Sequence, residues 1–136
     1  MTYIDGYLTP VRADKRDAFR AFSAKLAPIY KEYSALRVVD CWGEEDAQAS
    51  SSFHAEGARD ALEDDGQTLR EFGNAANATS DEIVVLSWTE WPDKATRDAG
   101  LAGALADPRI QPQDGEEIVF DGRRLIAGGF TMILDV

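Results

Sequence analysis

The sequence predicts an α+β fold in which two strand–helix–strand units build a four-stranded antiparallel sheet, in the order βαββαβ. Three observations lead there. Strand periodicity at Thr2–Leu8 and again at Leu36–Trp42 brackets a helical stripe, in which Phe19, Phe22, Leu26, Ile29, Tyr30 and Tyr33 recur at three- and four-residue steps. The strand Ile83–Trp91 and the apolar run Leu125–Leu134 bracket a second helical segment, Lys94–Ala106. Between the two units lies an acidic insert, about residues 44–72, that fits neither pattern strongly. Split βαβ units of this kind pair their strands antiparallel and carry both helices on one face.

Taken in order, Tyr3, Asp5 and Tyr7 alternate with Ile4, Gly6 and Leu8, two unlike faces of one strand, and Thr9-Pro10 is expected to end it. Asp14 is the expected N-cap of the first helix, with Asp17 in its first turn, where a negative charge suits the helix dipole. Pro28 lies inside the apolar stripe and removes the hydrogen bond to the Ala24 carbonyl, which predicts a kink or an early end. The second strand sets Leu36, Val38, Asp40 and Trp42 against Arg37, Val39 and Cys41. In the insert, Ala47–Ser52 reads as a small-residue linker, a thin stripe from Ala58 to Phe72 as a helix interrupted by Gly66, and Gly73–Ser80 as irregular. The third strand sets Val84, Leu86 and Trp88 against Ile83, Val85, Ser87, Thr89 and Trp91, and Trp88 reads as core. Pro92-Asp93 stops that strand and caps the helix Lys94–Ala106, in which Gly100 and Gly103 each cost roughly 1 kcal/mol relative to Ala. Asp107-Pro108 ends it. Asp121-Gly122 is a turn signal before the last strand, where Gly128-Gly129 marks a bulge or a close approach by other atoms. The third and last strands are apolar on both faces. Helices cover only one of them, so a second copy stacked on the other face is the simplest cover, which predicts a homodimer.

Composition excludes more than it identifies. At 136 residues the chain is expected to be one domain, 1–136, with 44% hydrophobic and 29% charged residues. No stretch approaches the ~20 apolar residues of a membrane span, and the start lacks the pattern of a signal peptide, so a cytoplasmic location is expected. The net charge of −11 disfavours nucleic acid as a partner. Nine acids against Arg59 and Arg70 between Glu44 and Glu71 put a net seven of those charges in the insert, which reads as a solvated face without calcium-loop spacing. With Phe53, Leu62 and Leu69 as its large apolar residues, the insert is expected to be peripheral to stability. A single cysteine, Cys41, and a single histidine, His54, leave no disulfide framework, no cysteine-rich metal site and no multi-histidine site within one chain, and no cofactor is expected. Neither a P-loop nor a GxGxxG is present.

Tyr3-Ile4-Asp5-Gly6, Asp81-Glu82 through Ser87-Trp88, Asp107-Pro108-Arg109, Phe120-Asp121-Gly122 and Gly128-Gly129-Phe130 together carry a resemblance. Spread over about three quarters of the chain, in this order, they are similar to the YbaA-like bacterial proteins of the dimeric α/β-barrel superfamily. The resemblance implies a ferredoxin-like fold that dimerises through its sheets, and no activity. The insert after Trp42, Pro28, and Ala127 in place of a bulky aromatic depart from the family pattern. The last should enlarge the space beside Gly128-Gly129.

The candidate site follows from the strand faces. Tyr3, Asp5 and Tyr7, with Ser87, Thr89 and Trp91, form a face with an aromatic wall and a few polar groups, which suits a small-molecule site between two stacked sheets. Asp5 there is the candidate general base, set against a structural reading in which it pairs with Arg37 or Arg124. His54 reads as an exposed loop residue and Cys41 as a buried small hydrophobe on a strand. Two functions fit: a binding or accessory dimer whose inter-sheet space holds a small apolar or aromatic molecule or holds nothing, or, by analogy of fold, a cofactor-independent oxygenase or isomerase of an aromatic or polyketide-like substrate.

Overall fold

The computed structural model describes residues 1–45, 50–64 and 69–136. In chain order its elements are β1 (Tyr3–Arg12), α1 (Arg16–Glu32), β2 (Arg37–Trp42), α2 (Glu56–Asp64), α3 (Phe72–Ala75), β3 (Glu82–Trp91), α4 (Lys94–Ala106) and β4 (Ile126–Thr131). The strands form one antiparallel sheet in the order β2-β3-β1-β4. This is the α+β arrangement expected, and the strand order is consistent with a ferredoxin-like chain.

Two prolines end neither of their elements, each for a local reason. β1 does not end at Pro10 but runs on to Arg12, with Pro10 opposite Val84. The Val84 carbonyl turns away from β1 to accept from the Gly43 amide at 3.0 Å, so Pro10 stands at a pair that exchanges no ladder bonds with β3. Its nitrogen faces the β4 side, where pairing has already stopped at Leu8–Ile126, so no bond is lost. α1 likewise continues through Pro28 to Glu32. Pro28 and Ala24 are both exposed, so water can satisfy the carbonyl that Pro28 leaves unpaired. The Asp14 cap is also not made: its carboxylate takes Arg12 at 2.9 Å, and a short 3-10 turn, Ala13–Lys15, leads into α1. Ser34, in the left-handed region at φ 81°, ends α1, with its amide on Lys31 O and that of Ala35 on Tyr30 O.

α4 has the predicted limits. Asp93 caps it by accepting from the Thr96 amide at 2.7 Å, and Asp107 stops it. Its glycines are close-approach sites. A Cβ at Gly100 would stand 2.5 Å from Trp91 Cζ3 and closer still to the Tyr33 carbonyl, and one at Gly103 would stand 2.7 Å from the Tyr33 ring. At the far ends of the two long helices, Asp107 accepts from Tyr33 Oη at 2.8 Å and from the Arg109 backbone and guanidinium, and Arg109 reaches on to Glu32. Asp107 is held well below the ordinary carboxylate range, chiefly by Arg109.

The core lies between α1 and the sheet. Val11, Phe19, Ile83, Val85 and Val119 are buried together, with Phe22 and Phe120 against them. The Phe19, Phe22 and Phe120 rings meet at 5.8 to 6.3 Å, and each such contact adds about 1 kcal/mol beyond its buried area. Val119 and Phe120 come from the loop before β4. Asp121 then caps the turn Gly122–Arg124, as its sequence suggested.

β4 departs from expectation. It covers Ile126–Thr131, pairs with β1 without a bulge, and is exposed along its whole length, because in one chain it is the edge of the sheet. The glycine signal is explained by close approach: the Tyr3 ring lies over Gly129, where no Cβ would fit. In the insert, Ala47 and the Gly66 interruption lie outside the described residues, whereas Glu56–Ala61 of α2 are exposed and Phe53 is 77% exposed. The stretch from Gly73, expected to be irregular, carries most of the short helix α3. Among the described residues no helix is long and apolar enough to cross a membrane.

Candidate functional site

The pleat puts Tyr3, Asp5 and Tyr7 of β1 on the same face as Ser87, Thr89 and Trp91 of β3, because the register sets Tyr3 opposite Trp91, Asp5 opposite Thr89 and Tyr7 opposite Ser87. That grouping is as the sequence suggested. The face is not: it is the side that carries α1 and α4, not the bare side on which a second sheet could stack. The alternation alone leaves the choice of face open, and the more apolar set, Val84, Leu86 and Trp88, proves to be the uncovered one. Trp88, expected in the core, is accordingly half-buried on the bare face, with its indole N–H 3.4 Å from Glu90.

α4 closes one half of the covered face. Asp5 is 3% exposed and Trp91 0%. Trp91 Nε1 donates to Asp5 Oδ2 at 2.9 Å, Arg97 Nε donates to Oδ1 at 2.9 Å, and Arg97 NH2 donates to Oδ1 at 2.6 Å. The Arg97 guanidinium also stacks over the Tyr3 ring at 5.2 Å and meets Asp98 at 3.0 Å. Asp5 is thus an ion-pair partner, but of Arg97. Arg37 lies 3.4 Å from Glu90, and Arg124 grips Glu82 at 2.6 and 2.8 Å. Both Asp5 oxygens are engaged, by Arg97 and Trp91, which favours the structural ion-pair role over that of a general base.

The other half, under α1, is not filled. Tyr7, Thr9, Ser87 and Thr89 floor a cavity of about 230 Å³, roofed by Phe22, Leu26, Ala27 and Tyr30 of α1 and closed at one end by Phe120 and Leu125. A second cavity of about 400 Å³ adjoins it toward the start of α1 and shares Phe19, Ser23, Ala27, Val38 and Asp40 with it. Burial pushes the Tyr7 phenol far above its ordinary range, and the nearby Asp5 charge adds to this against an opposing hydrogen bond with Thr89. Tyr30 is raised for the same leading reason. Both therefore keep their protons at any ordinary pH and are hydrogen-bonding groups, not bases. Asp40, also on the wall, accepts from the Ser23 hydroxyl.

Of the predicted site residues, Tyr7, Ser87 and Thr89 reach this cleft, whereas Tyr3, Asp5 and Trp91 belong to the closed half. Sequence reasoning missed the contribution of α1. The available signal was Ser23 and Ala27, small residues one turn apart among Phe19, Phe22, Leu26 and Tyr30, which leave room under an otherwise bulky stripe. His54, expected to be exposed, is half-buried at the end of the turn Ser50–Phe53, and Cys41, expected to be buried, is exposed, because its side of β2 is the bare face. Among the described residues no three His, Cys, Asp or Glu side chains are grouped to hold a metal.

The molecule is thus an open-sheet α+β protein with a cleft of small-molecule size beneath one helix. Its sequence belongs to the DUF1428 family, described as a protein of unknown function, whose model matches residues 2–122. It is similar to the uncharacterized protein YbaA of Escherichia coli K12, 42% identical over 135 residues and covering 99% of both chains. The YbaA proteins of Escherichia coli O157:H7 and Shigella flexneri match to the same extent.

Proposed function

We propose that this protein is a small-molecule binder that works as a homodimer, each copy holding one small apolar or aromatic molecule in the cleft between α1 and the sheet. The observation that carries the reading is the unfilled volume itself. Protein interiors are close-packed, so a cleft of several hundred Å³ with an apolar roof and fixed hydroxyls on its floor is the usual form of a ligand site. This reading moves the ligand from between the sheets to beneath the helix, because the predicted site residues all lie on the covered face. The binding reading is favoured over an oxygenase or isomerase because Tyr7 and Tyr30 hold their protons and Asp5 is committed to Arg97.

The dimer is supported by the bare face. Ile4 and Leu8 of β1, Leu86 and Trp88 of β3, and Ile126 and Phe130 of β4 line it, with Leu86 39%, Ile126 44% and Phe130 59% exposed. From strand spacing and rise, such a face offers about 500 Å² per copy, or about 1,000 Å² per pair, the lower bound for a stable interface. Ile133, Leu134 and Val136, exposed beyond β4, would add to it.

Two experiments test the reading. Light scattering at micromolar concentration should give about twice 14.9 kDa, and Phe130→Asp should give a folded monomer; a monomeric wild type would sink the dimer. Native mass spectrometry of protein equilibrated with cell extract should show a bound small molecule that Ala27→Phe, which fills the cleft, excludes. Equal retention by that variant would rule the cleft out.

A further inference from the structure

Six arginines of this chain, Arg12, Arg37, Arg97, Arg109, Arg123 and Arg124, each sit within ion-pair distance of a carboxylate. Arg16 and Arg20 do not, although acids outnumber bases by 25 to 14. One turn apart on α1, both line the larger cavity, and neither has a carboxylate within 4.0 Å among the described residues. Arg16 instead lies over the Trp42 ring at 5.9 Å. Trp42 walls the same cavity, and its buried indole N–H has no acceptor among the described residues. Asp40 is the acid on this wall; its charge offsets one guanidinium, and the Ser23 hydroxyl donates to it. One positive charge in excess therefore remains at the mouth of an apolar cleft, with unused guanidinium donors and an unused indole donor beside it.

We infer that the ligand is an organic acid: its carboxylate lies between Arg16 and Arg20 at the cleft mouth, and its aromatic or aliphatic body runs inward over Ala27 toward Thr89. A planar guanidinium fork matches a carboxylate bidentately, and a ligand acceptor would also complete Trp42 after a small turn of the indole. In a chain this acidic, a local cationic mouth also selects for anions against the repulsion of the whole surface. This inference rests on the cleft being the binding site, as proposed above, and adds the charge of what it takes.

The test uses 1-naphthoate and octanoate, each against its neutral primary amide, titrated into the full-length protein by calorimetry. The wild type should bind the acids about tenfold or more tightly than the amides. Arg16→Gln/Arg20→Gln should bind acid and amide alike, and Arg16→Lys/Arg20→Lys should recover part of the preference, because charge returns without the fork. Both arginines are exposed, so these variants are expected to fold, which circular dichroism checks. Equal affinity for acid and amide in the wild type, or an undiminished preference in the Gln variant, overturns the inference and leaves the cleft reading in place. No binding of either probe at millimolar concentration overturns both.

Discussion

Under α4 the covered face of the sheet ends in a closed set of contacts; under α1 the same face ends in open volume. The sheet is shared, so the helices make the difference. α4 carries Gly100 and Gly103 on its inner side and comes down until Trp91 and the Tyr33 ring fill the gap, and Arg97 neutralises the buried Asp5. α1 carries Phe19 and Phe22, whose rings meet Phe120 tilted and edge-on and hold the helix away from the sheet, while Ser23 and Ala27 are too small to fill what is left. Glycine inside a helix, read as weakness from propensity, here permits the tighter packing. Large aromatics, read as core, here prop open the looser one. Tight packing and open volume are thus separated across one face, and substitutions in the two halves should behave differently.

The largest contrast should come from Asp5→Asn. It leaves the Arg97 guanidinium without its buried partner and should lower stability by about 3 kcal/mol, read as a fall in the urea midpoint at constant slope. Ser87→Ala in the open half should change stability by no more than about 1 kcal/mol, read in the same way. Equal effects would erase the distinction between the halves. Gly100→Ala comes next. Its Cβ would meet backbone and indole at once, so a net loss of about 2 kcal/mol is expected despite a helix-propensity gain of about 1 kcal/mol. Ala27→Leu, one bulkier residue over empty space, should stay within about 1 kcal/mol of wild type in thermal melts.

A third test addresses the clasp at the end of the cleft, where Arg124 ties the turn before β4 to the start of β3. Arg124 holds the Glu82 carboxyl down from 4.5 to about 2, helped by the Thr79 amide. A folded pKa below the unfolded one means that this contribution is complete above about pH 4.5 and is lost as pH falls through about 2. Glu82→Gln should therefore cost about 1.5 kcal/mol at pH 7 and progressively less between pH 4.5 and 2, checked by denaturation across that window. The smallest effect is a gain. Ser34→Gly at the left-handed end of α1 should add about 0.5 kcal/mol, seen as a rise in Tm, without altering ligand binding.

The order of elements, the strand alternation, the limits and cap of α4 and the turn at Asp121 were all legible in the sequence, because each depends on neighbours within a few residues: periodicity, a capping carboxylate, a glycine or proline at a turn. Pro10 did not end its strand and Pro28 did not end its helix early, because the damage a proline does depends on whether its missing amide had a partner, which a neighbouring strand or the solvent decides. Which face of the sheet the helices cover was not legible either. Both faces carry apolar side chains, and the one with Asp5, Ser87 and Thr89 looked like the outer one until α4 supplied Arg97, an ion-pair partner 92 residues away. The cleft was the least legible feature of all. Empty space has no residue of its own, and it exists because rings on α1 and a loop that arrives a hundred residues later set the height of the helix above the sheet.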